Sequence, residues 1–444
     1  MISGNVFRRQ LNKELAVAVE AKGVWITDAE GNRFLDGTGG PLVVNVGHGR
    51  DRVAQAIADQ ARRCAYVHPT MFTGHSVETL ATRLAAHAPP GIERFYFMST
   101  GSEAVETAIK LARQIHLVRG EPHRWRLISR WKSYHGLTLG ALAATGRTSF
   151  RTPFTPMLPE AHHIPAPYCY RCSYGLTHPQ CGLACAAALE EAIQELGPQT
   201  VSAFLAETVS GATIAAVTPP DGYLPRIREI CDRYGVLLIL DEVLCGMGRT
   251  GRWFASEHYD VVPDLVTLGK GLAGGAVALS AVGVQAGHFE AVSRSPSGFV
   301  HGGTFSHHLV ACAAGNAVLD ILEQEALIDR VAAQGPILGA KLKSVLGEHP
   351  LVGDVRGIGY LWGIEFVSDR ATRRPFARKE KIAERLWEKM YQNSRVLLYK
   401  ATGLAGSDGD ALLVGPPFVI TPEETDRIVS ALARALDELQ SEIK

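Results

Sequence analysis

The stretch Val236–Gly275, VLLILDEVLCGMGRTGRWFASEHYDVVPDLVTLGKGLAGG, decides how the chain is read. Its two short apolar runs, Val236–Leu240 and Leu265–Leu268, predict buried parallel strands. The first delivers Asp241 and the second delivers Lys270. In an open α/β sheet, groups at the carboxyl ends of strands face the crevice where such folds bind ligands. A carboxylate and a lysine held there suit pyridoxal phosphate. The lysine amine condenses with the aldehyde, and the acid keeps the ring nitrogen protonated so that the ring accepts electrons. Taken singly, Asp241 is a cap for the next segment and Lys270 a surface lysine. Both following buried strands, with Gly269, Gly271, Gly274 and Gly275 crowding the lysine, favours the chemical reading, because glycine lets backbone approach a ligand closely.

The run DEVLCGMGRTG, followed by the LGKGLAGG lysine, resembles the class III aminotransferases, fold type I pyridoxal phosphate enzymes that include ornithine, 4-aminobutyrate and ω-amine transaminases. The resemblance extends from about Gly23 to the C-terminal helix. It implies an α/β fold: a large cofactor-binding domain with a mostly parallel sheet over residues 66–329, and a smaller α+β domain built from residues 1–65 and 330–444. It also implies a homodimer with shared active sites, acting on a small-molecule amine donor and a keto acid acceptor.

Bulk properties agree with an enzyme of small molecules. A chain of 444 residues, 46% hydrophobic, exceeds what one core usually organises. Lys+Arg and Asp+Glu both number 45, which gives no electrostatic case for nucleic acid or an anionic membrane. The start MISGNVFRRQ lacks the apolar core of a signal peptide, and no apolar run approaches the roughly 20 residues of a membrane span. The expectation is a soluble, cytoplasmic protein. Cys169, Cys172, Cys181 and Cys185 read either as a small zinc knuckle or as partly buried thiols packing a loop.

Along the chain, residues 23–36 predict a β-hairpin, and GTGGPLVVNVGHG follows it. Helices are expected from Arg52 to Arg62 and from Ser76 to Ala88. RFYFM then reads as a strand and STGSEAVETAIKLARQIHL as a turn opening a helix, the arrangement whose N-terminus binds phosphate. Gly101 and Ser102 are the phosphate candidates, although Ser102 or Thr100 also reads as a plain helix cap. After RLISR comes WKSYHG, and after the strand AFLAE comes Glu207.

The resemblance assigns further positions. Tyr134 would stack on the ring with His135 beside it, Glu207 would sit near the ring, and Val243 would contact the cofactor. Thr304 would reach the phosphate of a neighbouring subunit; the plainer reading caps a helix Ser306–Leu322. Leu42 replaces a bulky aromatic common in ω-amine transaminases, which implies a roomier pocket unless it is simply core. Ala212 stands where ornithine-type enzymes carry a second glutamate, and Leu413 where they carry a carboxylate-binding arginine. Between Val396 and Pro417 the one cation is Lys400, so a bidentate carboxylate clamp must come from elsewhere. No metal is expected in the active site.

Further on, a helical passage Glu323–Glu348, a structural Arg356, a helix over 378–393, a strand near Leu397 and a closing helix capped by Thr421 are expected. The same constellation serves aminomutases and decarboxylases. A non-catalytic cofactor-binding dimer is disfavoured, because it needs no such lysine.

Overall fold

Seven strands form the sheet that carries the quoted stretch: β1 (Ile92–Met98), β2 (Arg126–Arg130), β3 (His162–Ile164), β4 (Val201–Glu207), β5 (Leu237–Asp241), β6 (Leu265–Leu268) and β7 (Ser280–Gln285). This computed structural model describes residues 5–11 and 14–443; the first four residues of the amino-terminal run read above lie outside them. The strand order is β1-β7-β6-β5-β4-β2-β3. Only β7 runs antiparallel to its neighbours, and β2 to β6 are mutually parallel.

The apolar runs form strands because both sheet faces are covered. Phe204, Ala206, Leu238 and Leu240 pack with Leu189, Ile193, Leu224 and Ile227 of the helices Ala184–Leu196 and Tyr223–Tyr234. The alternate residues Ala203, Leu205, Leu237 and Ile239 face Ala104, Ala108 and Ile115 of the helix Gly101–Val118. Period-two alternation therefore serves two cores at once, and no polar face remains in the central strands.

Register then sets the chemistry. Glu207 pairs with Asp241, and Asp241 with Thr267, so these side chains lie in a row across the carboxyl ends of three strands. Asp264, just before β6, locks that register. Its Oδ2 accepts from Leu238 N and Arg228 Nη1, each at 2.7 Å, and its Oδ1 lies 2.6 Å from His288 Nε2. Burial alone would raise this carboxyl, but bonds from His288, Arg228 and Leu238 hold it down at about 2. The ionised form is thus favoured over an unfolded value of 3.8. That stability is present above pH 3.8 and is lost as pH falls towards about 2. Asp264→Asn is expected to cost about 1–3 kcal/mol at neutral pH, because Leu238 N, His288 and Arg228 lose a charged acceptor while Arg228 keeps its second pair with Asp232. Urea unfolding should show the gap to wild type narrowing below pH 4, and a pH-independent gap would contradict the assignment.

Two smaller sheets complete the chain. One joins both ends: Ala18–Lys22, Trp25–Asp28, Arg33–Asp36 and, parallel to the last, Val396–Leu397. The expected hairpin is there, its turn held by Asp28 Oδ1 accepting from Asn32 N at 2.8 Å. The other contains Val352–Ile358, Leu361–Asp369, Asp408–Val414 and Tyr399–Ala405, with Arg374–Pro375 pairing off it. Arg356 ties it to the large sheet's loops, donating to the carbonyls of Ala215 and Ile214 and pairing with Asp354 and Glu365 at 2.8 Å. Thr421 and Glu424 form the expected reciprocal cap of the helix Pro422–Ile443.

Several expectations change. The helix expected over Ser306–Leu322 is Leu309–Gln324, and the imidazole of His308, not a threonine, accepts from Ala311 N. The helix expected over 378–393 is a 3-10 turn Arg378–Glu380, then Ile382–Lys389 and a widened last turn. Beyond Leu397 lies a full hairpin where only one short strand was expected. The four cysteines Cys169, Cys172, Cys181 and Cys185 surround one small cavity as free thiols. Among the described residues, no group of three or more His, Cys, Asp or Glu is placed to hold a metal ion. Burial pushes the Cys185 thiol up to about 11. No helix of the described residues is long and apolar enough to cross a membrane.

Candidate active site

A cavity of about 300 Å³ opens at the carboxyl edge of the large sheet, and Asp241, Lys270, Glu207 and Ser102 line its inner end. Asp241 is 5% exposed. Its Oδ1 accepts from Thr267 Oγ1 at 2.9 Å and from Val243 N at 3.1 Å, and its Oδ2 lies 2.8 Å from His135 Nδ1. Three donors fix both oxygens of an anion at the end of β5. Facing a carboxylate, His135 carries its hydrogen on Nδ1, which leaves the buried Nε2 with no partner among the described residues.

Lys270 follows β6 after the extended Gly269. Its φ of 42° lies in the left-handed region, which a non-glycine residue occupies only when its surroundings hold it there. Burial lowers the ammonium pKa, opposed by the charges of Asp241 and Glu207. A lysine so placed reaches its neutral, nucleophilic form more readily than one in water.

The opposite wall comes from the start of the helix Gly101–Val118. Thr100 is the cap: its Oγ1 accepts from Glu103 N at 3.3 Å, and Glu103 Oε2 accepts from Thr100 N at 2.8 Å. Ser102 is therefore free of capping, and its Oγ accepts from Leu137 N at 3.0 Å. Gly101 has a steric reason, since a Cβ there would meet Val243 Cγ1 at 2.9 Å. The first-turn N–H groups, the dipole and the Ser102 hydroxyl together make an anion site.

Glu207 pins the turn carrying the aromatic side chain. Its Oε1 accepts from Tyr134 N at 2.8 Å and its Oε2 from Gly211 N. Burial raises the Glu207 carboxyl, opposed first by His135. Tyr134 lines the cavity, and burial followed by Tyr399 pushes its phenol up.

Of the remaining expected positions, Leu42, Ala212 and Val243 line the wall. Leu42 is 2% exposed, so the core and pocket readings are both true of it. Thr304 is exposed and lies outside this cavity's wall. Lys400 and Leu413 are also outside it, and both belong to the unexpected hairpin that supplies Tyr399. Leu413 is fully buried between Gly363 and Tyr399, and strand alternation carries Lys400 to the Trp387 ring, 4.7 Å away. Tyr399 lines the cavity instead, together with Arg9, Arg147, Phe150 and Thr213. Alternation about Lys400 was the only sequence signal for any of them.

These residues fit pyridoxal phosphate. The anion site suits the phosphate, Asp241 the ring nitrogen and Lys270 the aldehyde, within one cavity whose size suits a small cofactor and substrate. The arrangement defines a pyridoxal-phosphate-dependent transferase of fold type I.

The chain belongs to the class III aminotransferases, whose family model, "Aminotransferase class-III", matches residues 6–436. It is similar to the diaminobutyrate–2-oxoglutarate transaminase of Halomonas elongata, 38% identical over 95% of this chain and 90% of that one. It is similar also to the putrescine–pyruvate aminotransferase of Pseudomonas aeruginosa, 35% identical over 97% and 92%. A PLP-bound amine transaminase from an uncultivated Pseudomonas species superimposes with a TM-score of 0.90, at 35% identity over 98% and 97% of the two chains. The protein is thus a pyridoxal-phosphate-dependent aminotransferase.

Proposed function

We propose that this aminotransferase moves an amino group from a primary amine, an ω-amino acid or a polyhydroxylated amino compound to pyruvate or 2-oxoglutarate, in two half-reactions of a ping-pong cycle. The observation that carries this reading is the inner end of the cavity, where a partly exposed lysine of lowered pKa faces an anchored aspartate. Bound there, pyridoxal phosphate supplies the electron sink. Lys270 would hold the cofactor at its aldehyde, and its amine, once freed by the donor, would be the base for the proton on the donor's reacting carbon. Asp241 would set its charge against the ring nitrogen, and His135 keeps Asp241 oriented. Tyr134 and Val243 would contact the ring, and Glu207 holds the Tyr134 backbone in place.

Leu42 and Ala212 leave side-chain room for the donor. Relatives named for 2-oxoglutarate and for pyruvate support both acceptor types. Thr304, exposed in the single chain, is assigned to the phosphate site of a second copy, so that the proposed working unit is a homodimer, with the cytoplasm as its proposed compartment.

The absorbance of purified holoenzyme, titrated with amines in the absence of an acceptor, tests the reading. A visible cofactor band should bleach with a good donor and return on adding a keto acid. Bleaching that needs no keto acid for turnover would instead mark a mutase, and carbon dioxide release a decarboxylase. Marked preference for ornithine or acetylornithine would overturn the donor assignment.

A further inference from the structure

The two ends of the cavity differ in how their charges are met. At the inner end, Asp241 and Glu207 each accept at least two hydrogen bonds. At the outer end stand two guanidinium groups, Arg147 and Arg9. Among the described residues, neither has a carboxylate within ion-pair distance. Arg147 has only neutral partners: its Nη2 donates to Thr402 Oγ1 at 2.9 Å and its Nε to Ser149 Oγ at 3.3 Å. Its guanidinium lies 4.3 Å from the centre of the Phe150 ring, and that of Arg9 lies 5.6 Å from the same centre. Burial lowers the Arg147 pKa, and the charge of Arg9 lowers it further. The nearby Arg378 is a cation too, but Glu384 and Asp410 already pair with it.

Two cations sharing one phenyl ring, one of them largely desolvated, repel each other and have no anion between them. A carboxylate there would remove the repulsion and accept from a planar donor fork that matches it, which no lysine does as well. Phe150 links this pair to the reacting end, since it meets Tyr134 edge-on with ring centres 5.8 Å apart. The 396–417 region has no arginine, and these two stand instead on the turn after Ala144 and on the amino-terminal segment.

We propose that Arg147, assisted by Arg9, binds a substrate carboxylate remote from the reacting carbon, so that the preferred substrates are ω-amino acids and dicarboxylic keto acids. The inference rests on the aminotransferase reading and narrows its substrate class. Arg147 is a specificity residue, and Arg9 makes the amino-terminal segment part of the substrate site.

Calorimetric titration of the holoenzyme with glutarate, a dicarboxylate with nothing to transfer, tests binding apart from chemistry. Kinetics with 4-aminobutyrate against butylamine, each with pyruvate as the acceptor because it has no remote carboxylate, test specificity. Arg147→Gln should weaken glutarate about 10- to 100-fold and raise the KM for 4-aminobutyrate similarly, leaving butylamine within about twofold. Arg147→Lys should fall between, and Arg9→Gln should lose about 3- to 10-fold. The proposal is overturned if wild type does not bind glutarate, if both donors suffer equally, or if Arg147→Gln loses its cofactor, since the arginine would then serve the phosphate. Should Arg147→Gln not fold, Arg147→Lys and Arg9→Gln decide. Were wild type to respond to no amine, the glutarate titration would still decide the subsite, and the aminotransferase reading alone would fall.

Discussion

Lys270→Ala should lower steady-state transamination by on the order of 10⁴-fold or more. Proton transfer by a positioned base contributes about 10²–10⁴ by itself, and this lysine also supplies the covalent hold on the cofactor that each donor displaces. Nothing else lining the cavity can replace it. The carboxylates Asp241 and Glu207 are occupied by their hydrogen bonds, and His135 faces Asp241 rather than the opening. Fold stability should change little, because Lys270 is partly exposed and its left-handed backbone is held by the Gly269–Gly275 turn. The check is turnover alongside thermal unfolding: a folded variant that retains transamination would remove Lys270 from its assigned role.

How much of this was legible in the sequence depends on which forces place each residue. Asp241 and Lys270 were readable because continuous apolar runs give β5 and β6 their ends, and strand ends define the crevice. Thr267 and Glu207 reach Asp241 by strand register, which no single strand's composition encodes. Thr100 was distinguishable from Ser102 only in three dimensions, since both are good caps and the capping bond decides between them.

The outer wall was hidden for a different reason. The region after Leu397 carries glycines and charges that resemble a loop, yet Tyr399–Ala405 and Asp408–Val414 pair as a hairpin whose Leu413 is fully buried. Tertiary packing against Leu361–Asp369 overrides the local signal. Arg9 and Arg147 are separated by most of the first third of the chain. Only folding brings them to one phenyl ring.

Asp241→Asn should lower turnover on the order of 10³-fold, and the geometry separates a charge effect from a structural one. Asparagine keeps a carbonyl oxygen to accept from Val243 N and Thr267 Oγ1, so the end of β5 should hold its shape. What it loses is the negative charge, and with it the means of keeping a proton on the cofactor's ring nitrogen. Its amide group also meets His135 Nδ1–H as a second donor, forcing the imidazole into its other tautomer or out of line. A charge-assisted bond in a site 5% exposed is worth several times one in water, which is why the loss falls on kcat rather than on cofactor retention. Cofactor binding should persist through the Gly101–Ser102 anion site and Lys270, and the thermal midpoint should move by only a few degrees. A variant that lost cofactor and activity together would show Asp241 holding the group rather than tuning it. Unchanged kcat would mean that the ring proton is kept by some other residue.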